Sequence, residues 1–409
     1  MALIDLYNTD IKNKNKEKRE LEFNLNLKKI KPSGIRKLFD LAQGQKDLIS
    51  FGIGEPDFIT PAHIREAAKK ALDQGYTRYT PNLGFPEFRQ ALANKLKIKN
   101  SISVTPEEVV VTSGGTEALF FSFYTLINPG DEVIIPDPGF VVYESQVNFT
   151  GGKPVHFPLR GENNFHPEVN ELKSYIIPKT RAILINSPSN PTGAVFTEEE
   201  LLAIANIARE KDLFVISDEL YEDIIYNGRK HISIASLPGM KERTISIFGF
   251  SKSYAMTGWR LGYLVAPVNL VKEIAKLLQN TSVCANSITQ KAGLAAIEGP
   301  QDCVQEMLLA YSERRNVLVQ GLNEIKGLSC YAPEGTFYAF VNIKNTGMTA
   351  EELSIYLLER CKVVTVPGTA FGTQGEGYIR LSFATSLEDI KEGIRRIKRG
   401  IENIVAVSE

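Results

Sequence analysis

The sequence predicts an α/β protein: a large domain with a mostly parallel sheet flanked by helices, joined to a smaller α+β domain. Three observations carry this expectation. Short β-rich runs alternate with helical stretches from about Val109 to Phe248, polar residues stand just beyond the ends of those runs, and the pattern changes after Pro300. Strand–helix alternation is what a parallel sheet covered by helices requires, and such sheets gather ligands beyond the carboxyl ends of their strands.

The elements follow in order. Val109–Thr112 is apolar and β-branched, and Gly114-Gly115 then opens an apolar helix over Thr116–Ile127. Glu132–Ile135 reads as a strand stopped by Pro136-Asp137-Pro138, and Arg181–Asn186 as one stopped by Ser187-Pro188. Thr197–Lys211 is a helix with Thr197 as N-cap and acids in its first turn. Leu213–Ser217 is a strand ending at Asp218, and Thr244–Phe248 another, followed by Gly249. Ser113, Asn190, Asp218 and Ser251 thus collect beyond strand ends, although polar residues follow strands in ordinary loops too. After Pro300 a long helix passes through Arg314-Arg315 to about Lys326; a strand over Gly377–Phe383 and a charged helix from Leu387 close the chain. The expected division is an N-terminal polar extension over 1–29, a small domain from 30–61 and 300–409, and a large domain over 62–299.

Composition narrows the function. Of 409 residues, 43% are hydrophobic and 23% charged, and the formal net charge is -1. That balance gives no reason to expect a nucleic-acid or membrane partner. No apolar run approaches the ~20 residues that span a bilayer, and the N-terminus lacks the order of a signal peptide. The cysteines Cys284, Cys303, Cys330 and Cys361 are scattered, as are the four histidines, so free thiols in the cytoplasm and no metal site are expected.

Five stretches carry chemistry. In Ser251–Gly262, SKSYAMTGWRLG, Lys252 follows a strand and a turn among Gly249, Phe250 and Tyr254. Partial desolvation there lowers an amine's pKa toward the neutral form that imine chemistry needs. Arg260 and Ser251 can add a fixed cation and a hydroxyl for a phosphate. In Ser217–Tyr226, SDELYEDIIY, Asp218 ends an apolar strand, where a carboxylate is costly unless paired. A pyridinium nitrogen is a suitable partner, and Tyr221 can reach a ring oxygen; a helix N-cap is the other reading of Asp218. Glu219, Glu222 and Asp223 read as solvated groups or ion-pair members. Ser187–Gly193, SPSNPTG, offers the Asn190 amide in a turn. Thr112–Ala118, TSGGTEA, places the N–H groups of Gly115 and Thr116 at a helix start, a phosphate site or an ordinary βα turn. In Gly377–Phe383, GYIRLSF, Arg380 sits in an apolar strand and must meet a carboxylate, from the protein or from a substrate.

Together these stretches resemble the fold-type I pyridoxal-phosphate aminotransferases of the aspartate aminotransferase family. The likeness runs from about Pro32 to Arg399 and includes GEPDF (Gly54–Phe58) and YTPNLGFPEFR (Tyr79–Arg89). It is nearer to the prokaryotic class I branch, which holds both aspartate and aromatic enzymes. The resemblance implies that Lys252 carries pyridoxal 5′-phosphate and shuttles the substrate's proton, and that Asp218 pairs with the pyridinium. It implies Tyr221 and Asn190 at the ring oxygen, and Gly115, Thr116, Ser251 and Arg260 at the phosphate. Phe140 occupies the place of the stacking aromatic. Arg380, with Asn190 and Gly54, would bind the substrate α-carboxylate. Tyr79 looks like the tyrosine that reaches the phosphate of a neighbouring subunit, which implies a homodimer with shared sites.

There are departures. Gly249 stands where some members have a phosphate-binding serine, Phe140 replaces a tryptophan, and Gln279–Gln290 holds no arginine for a side-chain carboxylate. The expected function is therefore amino transfer from an L-amino acid, aspartate favoured, to 2-oxoglutarate. An aromatic-amino-acid aminotransferase and a C–S lyase on the same fold are the alternatives. A DNA-binding regulator is not expected, since about thirty residues precede the matching region.

Overall fold

The computed structural model describes residues 24–28, 30, 45 and 47–408. The N-terminal extension expected over 1–29 lies almost wholly outside them. Among the described residues, thirteen strands form three sheets. They are β1 (Ile49–Ser50), β2 (Val109–Thr112), β3 (Glu132–Asp137), β4 (Lys153–Pro158), β5 (Thr180–Asn186), β6 (Phe214–Asp218) and β7 (Thr244–Gly249), then β8 (Gly262–Val265), β9 (Ser329–Cys330), β10 (Tyr338–Asn342), β11 (Val363–Val364), β12 (Val366–Pro367) and β13 (Tyr378–Ser382).

The large sheet has the order β2-β8-β7-β6-β5-β3-β4. Only β8 runs against its neighbours, β2 and β7, so the other six strands point one way. β2 is buried throughout and β7 buried up to its last residue, Gly249, as strands covered on both faces must be. Helices Gly115–Leu126 and Val268–Gln279 pack over one face around Val110, Ile216, Ile247 and Leu264. Helix Glu198–Glu210 packs over the other with Ile183, Ile185 and Val215. Thr197 caps that helix as expected: its hydroxyl accepts from the Glu200 N–H, and the Glu200 carboxylate accepts from the Thr197 N–H at 2.7 Å.

The smaller sheet, β12-β13-β10-β9, is antiparallel. Its core draws on Ile49 and Phe51 as well as Leu318, Leu357, Ile379 and Ile397, and β1 pairs in parallel with β11. A segment from near the N-terminus therefore shares its packing with the C-terminal helices. Strands β4 and β8 and the helices Ala62–Asp73, Pro86–Lys99 and Ser287–Glu298 add to the elements expected from sequence.

Candidate active site

Strands β2, β5, β6 and β7 end on one side of the large sheet, and a cavity of about 520 Å³ opens there. Gly54, Gly115, Thr116, Phe140, Asn190, Asp218, Tyr221, Ser251, Lys252, Arg260 and Arg380 all line it. Tyr79 does not, and is 85% exposed.

Asp218 is buried at the end of β6, and no helix follows it, so its carboxylate is not an N-cap. The Tyr143 hydroxyl donates to Oδ2 at 2.6 Å, while Oδ1 receives only the Leu220 N–H at 3.3 Å. Burial pushes the Asp218 carboxyl up to about 6, against the pull of the Tyr143 hydrogen bond. A carboxylate so placed needs a cationic partner.

Lys252 stands half-buried in the turn after β7. Its Nζ donates to the Gly54 carbonyl at 2.5 Å and lies near the rings of Tyr221 and Phe337. Desolvation, helped by the charges of Arg380 and Arg260, draws the amine down to about 8. That is the partly neutral lysine expected from its neighbours in sequence.

Arg380, on β13, enters the same cavity from the smaller sheet. Its Nη1 donates to Asn190 Oδ1 at 3.1 Å and its Nη2 to the Gly52 carbonyl at 2.8 Å, while Nε is buried without a partner. Burial lowers its pKa, and the guanidinium lies 4.3 Å from the centre of the Tyr338 ring. Its described partners are all neutral, so the internal salt bridge that sequence left open is not its role. Arg260 takes a left-handed backbone conformation and donates to the Thr257 and Ser113 carbonyls, beside the start of helix Gly115–Leu126. Cations and helix N–H groups thus surround one cavity, an arrangement suited to anionic groups.

A match to the aminotransferase class I and II family model over residues 46–397 decides the affiliation. The chain belongs to this family. Its relatives include the aspartate aminotransferase of Pyrococcus abyssi, 48% identical over 90% of this chain and 96% of that one. The aromatic-amino-acid aminotransferase 2 of Thermococcus litoralis is 47% identical over 91% and 96%. The solved aromatic aminotransferase of Pyrococcus horikoshii superposes with a TM-score of 0.86 at 45% identity, covering 90% of this chain and 99% of that one.

Tyr143, Asn186 and Tyr338 are among the residues of this aminotransferase's cavity that the sequence reading did not single out. Asn186 Nδ2 donates to the Asp218 carbonyl at 3.0 Å and its Oδ1 accepts the Asn190 N–H at 2.8 Å, tying two site residues together. The Tyr338 hydroxyl is 2.9 Å from that of Tyr221. Asn186 ends a strand as Asp218 does, a signal that was available; the tyrosines reach the site only through the fold. Gly249 has a packing reason, because a Cβ there would stand 2.5 Å from Leu220 Cδ2. Of the acids after Asp218, Glu222 pairs with Lys95 and Asp223 with Lys99, while Glu219 Oε2 lies 2.6 Å from His231 Nε2. In the Gln279–Gln290 stretch, Asn286 caps helix Ser287–Glu298 and Gln290 is buried against Phe85 and Thr80.

Proposed function

We propose that the cavity binds pyridoxal 5′-phosphate on Lys252 and transfers the amino group of an L-amino acid, aspartate first, to 2-oxoglutarate. The observation that carries this is Lys252, Asp218 and Arg380 around one cavity, the last two buried and the lysine half-buried, with Arg260 at a helix start. The residues fit the cofactor. Asp218 is a buried carboxylate in want of a cation, as a pyridinium would be, and among the described residues neither Arg260 nor Arg380 has a carboxylate partner within ion-pair distance. Bound there, pyridoxal phosphate supplies a carbonyl that accepts the amino group and a ring that takes up the electrons left when the α-proton departs.

The chain's own residues then divide the work. Lys252 Nζ moves the proton at the substrate α-carbon. The Asp218 carboxylate holds a proton on the ring nitrogen, with Tyr143 fixing its other oxygen. Tyr221 and Asn190 would donate to the ring oxygen. Arg260, Ser251, Gly115 and Thr116 would bind the phosphate, and Phe140 would be the aromatic beside the ring. Arg380, with Asn190 and Gly54 beside it, orients the α-carboxylate.

Arg380 reads a group common to every amino acid, so it cannot choose among them. A neutral polar surround reads a second carboxylate weakly and rejects an aromatic ring weakly. The near-equal identities to an aspartate and an aromatic enzyme support a broad preference. We read the protein as a homodimer, in which the exposed Tyr79 serves the neighbouring site. An open hollow lined by Ser113, Arg260, Asn286 and Thr289 lies where a partner segment could approach. The four unpaired cysteines suit the cytoplasm. The parallel β1–β11 pair supports a small domain from 30–61 and 300–409 around a large one over 62–299. A panel of amino donors against 2-oxoglutarate tests the substrate reading: aspartate should lead, with tyrosine and phenylalanine measurable. No activity with aspartate alongside efficient turnover of tyrosine would reverse it. Ammonia and pyruvate released from cystathionine without an acceptor would indicate a lyase instead.

A further inference from the structure

His166, in the loop after β4, stands between two carboxylates. Its Nδ1 lies 3.0 Å from both oxygens of Glu200 and its Nε2 lies 3.1 Å from Glu334 Oε2. An ionised carboxylate only accepts, and a neutral imidazole has one N–H. A neutral ring would therefore satisfy one glutamate and turn a lone pair on the other. Both contacts together call for the imidazolium ion.

The clamp fastens the site. Glu334 also receives the Val195 N–H at 3.0 Å, Arg229 Nη2 at 2.6 Å and the Tyr331 hydroxyl at 3.1 Å. The N–H groups of Glu334 and Gly335 both donate to the Gly193 carbonyl, and the Glu334 carbonyl accepts from Tyr226. Gly193 and Val195 belong to the loop that presents Asn190 to Arg380, and Glu334 lies just before Tyr338. Loops from the large sheet and the entry to the small sheet are thus gathered on one carboxylate.

We propose that His166, as a cation held between Glu200 and Glu334, positions Asn190 against Arg380 and so sets affinity for the substrate carboxylate. The link to substrate rests on the carboxylate-binding role proposed above for Arg380; the charge on His166 does not. The groups facing the ring are Glu200 from its helix and Glu334 from the segment before β10. Tyr331 and Arg229 bear on Glu334, and Arg315 beside it donates to the Pro333 carbonyl. Burial opposes the cation, but its hydrogen bonds to both glutamates hold it up to about 9. The clamp's contribution is full below the ordinary imidazole value and is lost as pH rises through about 9.

The test uses the full-length holoenzyme. In ¹⁵N-histidine-labelled protein at about pH 7.5, one imidazole should show both nitrogens protonated, and its signal should vanish in His166→Gln. His166→Gln should raise KM for the oxo-acid substrate, whose carboxylates do not titrate here, roughly tenfold with kcat within about twofold. Wild-type KM should rise along the same alkaline titration that NMR reports. A neutral His166 at about pH 7.5 overturns the clamp. A cationic His166 whose folded Gln variant keeps the wild-type KM overturns the positioning role. Should that variant not fold, a wild-type KM that stays flat while the imidazole deprotonates overturns it equally. A wild type with no transamination would defeat the proposed function and leave the NMR result standing.

Discussion

Burial lifts the Asp218 carboxyl from its ordinary 3.8 to about 6, so at neutral pH the empty fold carries a destabilising ionised group. The shift amounts to about 3 kcal/mol. The folded value lies above the unfolded one, so the burden is present above about pH 6 and disappears below the ordinary carboxylate range. Asp218→Asn should therefore melt higher than wild type without cofactor at neutral pH, with the gain shrinking near about pH 4, and should hold cofactor poorly. Melting below wild type at both pH values would contradict this. Lys252 gives a kinetic counterpart. Only the neutral amine attacks a carbonyl, and its value of about 8 places the change within reach. Cofactor capture by the apoprotein should speed up about tenfold per pH unit until about 8 and then level off, as stopped-flow absorbance can follow. On its proposed role, Arg380→Ala would remove a buried cation from the common carboxylate, a loss of about 2–5 kcal/mol. Steady-state kinetics should show kcat/KM falling by a similar large factor for aspartate and phenylalanine; loss of one donor class alone would contradict it.

Elements place these residues, and much of that placement is legible in the sequence. The strand expected at Val109–Thr112 is β2, and the Thr197 cap forms with both of its hydrogen bonds. Local propensity and capping chemistry carry such signals. Strand β8 was not legible because Gly262–Val265 starts on glycine and pairs with β2 and β7 from distant sequence. Tyr143 was missed for the same reason: nothing near it in sequence announces Asp218, 75 positions away. The turn from β2 into helix Gly115–Leu126 yields the element-scale prediction. Gly114 has φ 87°, and a Cβ there would lie 2.8 Å from Arg260 Nη2. Gly114→Ala should strain the turn by about 1–3 kcal/mol and push Arg260 aside. Equilibrium dialysis should show cofactor bound roughly tenfold more weakly, while the wild-type value would contradict this use of the turn.

At the scale of the molecule, the two sheets meet over the cavity: the large one brings Lys252 and Asp218, the small one Arg380. Closing these parts on one another is what the Glu334 segment and the Asn190–Arg380 bond accomplish within one chain. The ring of Tyr79 is exposed and outside the cavity, and the proposed role of this residue is to serve the site of a second chain. Sedimentation should give a dimer, and Tyr79→Phe should leave its mass unchanged while weakening cofactor binding about fivefold to tenfold, as loss of a hydrogen bond to a charged group does. The most direct measurement is the visible spectrum of the holoenzyme mixed with aspartate and no oxo-acid. The absorbance of the Lys252-bound cofactor should disappear, 2-oxoglutarate should restore it, and Lys252→Ala should show no catalytic cycling between the two. An unchanged spectrum with aspartate and with aromatic donors alike, or full turnover by Lys252→Ala, would contradict amino transfer at this site.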